Sequence, residues 1–199
     1  MIRKSILYLT LFLVLSMVAT KSGIFFDENQ ESGLLDLVDG DDIFYWLFRA
    51  RSVPDATPLV FWLTGGPGCS SEMAVFYENG PYTINDDLSL KKNPYSWNNN
   101  ANLVFIDQPV GTGFSRCTNP THYARNEEMV AENFYKFLIK FLVKFPEYNQ
   151  RNIFITGESY AGHYIPAIAD FINTHPDPSI KFAGLAIGNG KYIIYYKVN

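Results

Sequence analysis

The stretch Gly157-Glu158-Ser159-Tyr160-Ala161-Gly162 constrains this chain more than any other. It follows an apolar run, Asn152 to Thr156, and precedes a helix-compatible run from Ile165 to Ile172. A strand, a tight turn carrying a serine, and then a helix is the layout of a nucleophile elbow. Small residues crowd the bend because a sharply turned serine tolerates no bulk beside it. The following helix aims its N-terminus, with unpaired amides, at the serine. A serine alone is a poor nucleophile, since it needs a base and an acid that orients the base. Only 40 residues follow Ser159 in this chain.

The rest of the pattern predicts an α/β fold. Leu34 to Val38, a turn signal at Asp39-Gly40-Asp41-Asp42, and Ile43 to Phe48 read as a hairpin over residues 33–50. Leu59 to Leu63 and Leu103 to Ile106 are continuous apolar runs, as expected of strands covered on both faces. Met73 to Tyr77 predicts a short helix, with Glu72 as its N-terminal charge. Residues 86–101 and 111–123 read as surface loops. Val130, Phe134, Phe137, Leu138, Phe141, Leu142 and Phe145 form one stripe at three- and four-residue steps, predicting a helix over 126–145. Its Lys136, Lys140 and Lys144 row reads as a solvated face, with Glu132 paired to Lys136. A last strand is expected over 182–187. Strands alternating with helices imply a mostly parallel sheet behind the N-terminal hairpin, with reactive groups at the strands' carboxyl ends. Gly65-Gly66 and Ser159 both fall at such ends.

Bulk properties narrow the partners. The 199 residues are 47% hydrophobic with a net charge of -4, which leaves no basic footprint for nucleic acid. Arg3 and Lys4, an apolar run from Ile6 to Val18 and small residues to Ser22 have the layout of a secretory signal peptide over 1–22. That run falls short of the ~20 residues a spanning helix needs, so no stable membrane anchor is expected. His122, His163 and His175 show no metal-ligand spacing. His163 reads as a packing residue, His122 and His175 as surface loop residues, and Asp107 as a residue that turns a strand end.

Three long motifs resemble the serine carboxypeptidases: Phe61-Trp62-Leu63-Thr64-Gly65-Gly66-Pro67-Gly68-Cys69-Ser70-Ser71, Asp107 to Ser115, and Gly157 to Tyr164, with Gly188-Asn189-Gly190 as a fourth landmark. The resemblance covers residues 32–190 and implies an incomplete α/β-hydrolase fold over 23–190, with a divergent tail at 191–199. It implies Ser159 as nucleophile and the amides of Gly66 and Tyr160 as the oxyanion hole. It also implies Trp62, Thr64, Gly65, Glu78 and Glu158 as the residues around a substrate's C-terminal carboxylate. Thr64 stands where many members have asparagine, and its hydroxyl offers one donated hydrogen bond. The family's catalytic aspartate and histidine come late in the chain, in the order Ser, Asp, His. They are not in this sequence, which is therefore expected to be a truncated product, inactive as given. Cys69 is expected to be free rather than paired with Cys117.

The implied function is removal of C-terminal residues from peptides at acidic pH through an acyl-enzyme, in a secreted, lysosomal or vacuolar setting. No cofactor or metal is implied, and a homodimer is a possible assembly. The alternatives are an acyltransferase on the same scaffold and a non-catalytic secreted product. A half sheet with an exposed edge would also be prone to aggregation.

Overall fold

The order of apolar runs along the chain builds one mixed sheet. In this computed structural model, residues 28–37, 40–52 and 57–191 are described. The proposed signal segment and nearly all of the tail lie outside them. The strands are β1 (Gln30–Asp36), β2 (Asp42–Phe48), β3 (Leu59–Leu63), β4 (Tyr82–Ile84), β5 (Leu90–Lys92), β6 (Asn102–Asp107), β7 (Asn152–Glu158) and β8 (Lys181–Gly188). The helices are α1 (Glu72–Tyr77), α2 (Glu127–Lys144) and α3 (Ala161–Thr174).

Six strands form the main sheet in the order β1-β2-β6-β3-β7-β8, and β4 pairs with β5 in a separate ribbon. The β1–β2 and β2–β6 pairs are antiparallel, whereas β6–β3, β3–β7 and β7–β8 are parallel. The fold is thus the expected one: a hairpin leading into a largely parallel sheet.

Why β3 and β6 read as unbroken apolar runs is clear from their two faces. Leu59, Phe61 and Leu63, with Val104 and Ile106, point into the core beneath α2 and α3. Val60 and Trp62, with Leu103 and Phe105, point into a second core that contains Ala74, Val75 and Tyr82. The period of two is present, but both faces are buried, so the sequence shows no alternation. On the first face, Phe61 meets Phe134, Phe137 and Phe141 edge-on at centroid distances of 5.8, 6.3 and 5.5 Å. The stripe that predicted α2 is the stripe that fills this layer. Asn126 caps the helix, its Oδ1 accepting from Met129 N at 2.9 Å. The Lys136–Glu132 pair forms at 2.8 Å on the outer face.

Residues 86–101 are not simply surface loop. They contain β5 and a 3-10 turn at Trp97–Asn99, and Asn93, Ser96 and Asn98 are buried. Their side chains act as substitutes for backbone partners: Asn93 Nδ2 donates to Gly80 O at 2.9 Å, and Ser96 Oγ to Asn79 O at 3.1 Å. Polar composition there serves internal hydrogen bonding rather than solvation. His122 also differs from the expected surface residue. It is half-buried, with Nδ1 2.7 Å from Asp41 Oδ2, while Thr118 donates to Asp41 Oδ1 from both its amide and its hydroxyl. Burial opposes ionisation of Asp41, but these three partners together hold its pKa below the usual carboxylate range.

β8 is the last strand of the sheet and pairs only with β7 among the described residues. Neither of its faces is fully covered, and Leu185 is 46% exposed. Among the described residues no helix is long and apolar enough to cross a membrane.

Candidate active site

Two strand-end corners meet at the top of the sheet. β3 and β7 are neighbours, with Leu63 paired to Gly157, so the glycine-rich loop after β3 and the elbow after β7 leave the sheet side by side. The approach is backbone on backbone. A Cβ on Gly65 would lie 2.5 Å from Tyr160 N, 2.8 Å from Glu158 O and 2.9 Å from Ser159 Cβ. A Cβ on Gly157 would lie 2.1 Å from Leu63 O. Only glycine permits this contact.

Ser159 sits at the apex with φ of +56°, the left-handed region that costs a non-glycine residue on the order of 1–3 kcal/mol. The strain is held from both sides. Ser159 N donates to Gly188 O at 3.0 Å, and Lys191 N donates to Ser159 O at 2.9 Å. The landmark Gly188-Asn189-Gly190 is therefore the clamp behind the elbow. Gly162 allows that clamp to close, because a Cβ there would lie 2.7 Å from Lys191 O.

The Tyr160 amide follows the serine and adjoins the corner that carries Gly66, since a Cβ on the neighbouring Gly65 would lie 2.5 Å from Tyr160 N. Among the described residues neither the Gly66 nor the Tyr160 N–H has a hydrogen-bond acceptor. Two unclaimed donors on a rigid corner are what stabilisation of a developing oxyanion requires. Gly66 has φ of +113°, so its orientation also depends on glycine.

The loop that carries Gly66 is fixed from below. Ser71 Oγ donates to the carbonyl of Trp62 and accepts from Thr64 N at 3.1 Å. Ser71 N donates to Asp107 Oδ1 at 2.9 Å, and Phe114 N to Asp107 Oδ2 at 2.8 Å. Asp107 thus turns the end of β6 and ties two loops together, as its position in the sequence suggested. Trp62 Nε1 donates to Thr64 Oγ1 at 3.1 Å, leaving the threonine hydroxyl hydrogen free to donate elsewhere.

Glu78, at the C-terminus of α1, and Glu158, at the end of β7, bring their carboxyls together. Burial first, and then the charge and hydrogen bonding of Glu158, raise the pKa of Glu78. Glu72 is the acidic residue in the first turn of α1, as expected. Its carboxyl is turned inward beside Asp107, and burial followed by that neighbour pushes its pKa up to about 8. Nothing in the sequence marks this, since the two acids are 35 positions apart.

The three imidazoles are engaged elsewhere. His122 is bound to Asp41, His163 lies against the Tyr160 ring at 4.6 Å, and His175 stacks on Phe171 at 4.0 Å. Among the described residues no imidazole hydrogen-bonds Ser159 Oγ. Cys69 and Cys117 are both free. Beside the elbow is a cavity of ≈ 160 Å³ lined by Pro67, Pro109, Glu127, Tyr160 and Tyr164, with Tyr160 Oη donating to Glu127 Oε1 at 3.0 Å.

A mostly parallel sheet with a strained serine at a strand-to-helix corner defines an α/β hydrolase. The comparisons with known proteins take this further, because the serine carboxypeptidase family matches residues 21–198. The chain belongs to that family. It is 48% identical over 151 residues to serine carboxypeptidase S10 family member 1 of Dictyostelium discoideum, covering 75% of this chain and 36% of the relative. It is 45% identical over 162 residues to carboxypeptidase Y homolog A of Paracoccidioides lutzii, covering 81% and 29%. Among solved structures, a prohormone-processing carboxypeptidase of Saccharomyces cerevisiae, Kex1Δp, superposes with a TM-score of 0.75 at 35% identity, over 81% of this chain and 38% of that one. The acylaminoacyl peptidase of Pyrococcus horikoshii, at 15% identity and a TM-score of 0.53 over 88% of this chain and 25% of its own, shares the fold. The chain spans about a third of the length of these carboxypeptidases.

Proposed function

We propose that this chain is the nucleophile-bearing part of a secretory serine-type carboxypeptidase, which removes C-terminal residues from peptides through an acyl-enzyme. Ser159 Oγ attacks the last peptide carbonyl, and the amides of Gly66 and Tyr160 receive the oxyanion. Glu78 and Glu158, with Thr64, Gly65 and Trp62 beside them, hold the substrate's free carboxylate. A protonated Glu78 donates a hydrogen bond to that carboxylate, so binding is favoured at acid pH. The observation that supports the reading is the contact of the Gly65 corner with the strained Ser159 elbow, together with the lack of an acceptor for the Gly66 and Tyr160 amides among the described residues. The paired acids favour a peptidase over an acyltransferase, since a free carboxylate is the group they suit.

A base and an orienting acid must complete the site, and neither is set against Ser159 among the described residues. The layout of Arg3, Lys4 and the apolar run to Val18 supports a secretory route. The test is a chimera in which residues 28–190 are continued by the remaining two thirds of the Dictyostelium relative. A folded chimera releases C-terminal residues at acid pH and loses at least about a thousandfold in kcat/KM on Ser159→Ala. A folded chimera that is inactive, or indifferent to S159A, refutes the reading.

A further inference from the structure

The glycine-rich loop is held by more than its glycines, and one of its supports is an acid that the proposed catalytic steps do not use. Glu72 Oε2 accepts from the Ser70 hydroxyl, and the amide of Glu72 donates to Ser70 Oγ at 3.2 Å. Glu72 Oε1 is buried with no donor in reach. The acid facing the Glu72 carboxyl is Asp107, whose two oxygens already accept from Ser71 N and Phe114 N. Two carboxylates do not share such a space with both ionised, so one of them carries a proton. Asp107 is committed as an acceptor on both oxygens, and Glu72 Oε1 is the oxygen without a donor. The proton belongs there.

We propose that Glu72 is a positioning residue, whose protonated carboxyl donates a hydrogen bond to Asp107 and so locks the loop bearing Gly66 against the Ser159 elbow. The chain of contacts runs from Glu72 to Asp107, from Asp107 to Ser71 N, from Ser71 Oγ to Thr64 N, and thence to Gly65 and Gly66. Glu72 touches neither the substrate carboxylate nor the reacting atoms. Helix α1 packs on β4 and β6. The ionisable side chain of β4, Tyr82, is turned to Gln30, so Asp107 is the ionisable group that faces Glu72.

When Glu72 ionises, the shared hydrogen bond is replaced by repulsion between two anions under the loop. Its folded pKa of about 8 lies above the ordinary 4.5, so the folded chain holds a proton that the unfolded chain releases between those values. The stability it contributes is complete below pH 4.5 and is lost as pH rises through about 8. Loop placement weakens in the same window. This rests on the peptidase reading only for its catalytic consequence.

Urea unfolding of the chain from pH 4 to 9 tests it with Glu72→Gln, which keeps a donor without a charge, and Glu72→Ala, which removes it. The wild type and E72Q should match at acid pH, with the wild type falling progressively behind up to about pH 8. E72A should be less stable than both at acid pH. A gap between wild type and E72Q that does not change with pH, or an E72Q as destabilised as E72A, overturns the proposal. Should E72Q not fold, carbon-13 titration of glutamate carboxyls in a Glu78→Gln background decides. One carboxyl titrating near 8 supports the proposal, and none above the ordinary range refutes it. In the active chimera, the wild type should fall about tenfold further than E72Q in kcat/KM one pH unit above that midpoint. Unfolding needs no catalysis, so an inactive chimera would count against the peptidase reading while the denaturation curves still decide the role of Glu72.

Discussion

Gly65→Ala places a methyl group where three atoms already stand. The new Cβ would lie 2.5 Å from Tyr160 N, 2.8 Å from Glu158 O and 2.9 Å from Ser159 Cβ, all closer than carbon normally approaches anything unbonded. Two are backbone atoms and the third is a Cβ, so no side chain can swing aside to relieve the contact. Either the loop lifts away from the elbow or the elbow gives up the φ of +56° that Gly188 and Lys191 hold. Overpacking of this kind costs about 1–3 kcal/mol. With a urea slope of ~1–3 kcal/mol/M, the midpoint should fall by roughly 1 M. Gly184→Ala is the control. A Cβ there meets only the Phe154 ring edge at 3.4 Å and 3.5 Å, and its stability should stay within about 0.5 kcal/mol of wild type. In the active chimera, G65A should also lose about 10²–10³ in kcat, the cost of a misplaced oxyanion donor. A G65A chain unfolding at the wild-type midpoint would show that the two corners do not touch.

Three further outcomes follow from the packing and the carboxyl pair. Phe61→Ala empties the centre of the ring cluster formed with Phe134, Phe137 and Phe141, and should cost about 3–5 kcal/mol by denaturation. Ser71→Ala strands the buried Thr64 amide, and a loss of about 1–3 kcal/mol is expected. For Glu78 the raised pKa means that the proton is retained above the ordinary carboxyl range and released as pH rises. In the chimera, KM should therefore increase with pH through that transition, and Glu78→Gln, a permanent neutral donor, should flatten the rise. A KM that falls toward alkaline pH would contradict the assignment.

Much of this architecture was legible because each core strand carries its burial in its own letters. β3, β6 and β7 are apolar runs, α2 announces its stripe, and the elbow is spelled out by Gly157 to Gly162. Convergence of the two glycine corners was also readable, since both follow strands of a parallel sheet. What escaped were features set by partners distant in sequence. Asn93 and Ser96 look like parts of a solvated loop until the carbonyls of Gly80 and Asn79 are placed beside them. His122 gives no hint of Asp41, and Glu72 none of Asp107. A charge at a helix start is ordinarily exposed, and only the tertiary fold turns this one inward. Free edges are the reverse case. β8 has the letters of a covered strand, yet both its faces stand partly open among the described residues.

The most direct test is a crystal structure of the active chimera trapped by a peptidyl phosphonate. The inhibitor's phosphorus should be bonded to Ser159 Oγ, with one phosphonyl oxygen about 2.7–3.1 Å from both Gly66 N and Tyr160 N. A phosphonyl oxygen turned to solvent or held by other donors would contradict the account, as would labelling at a different serine.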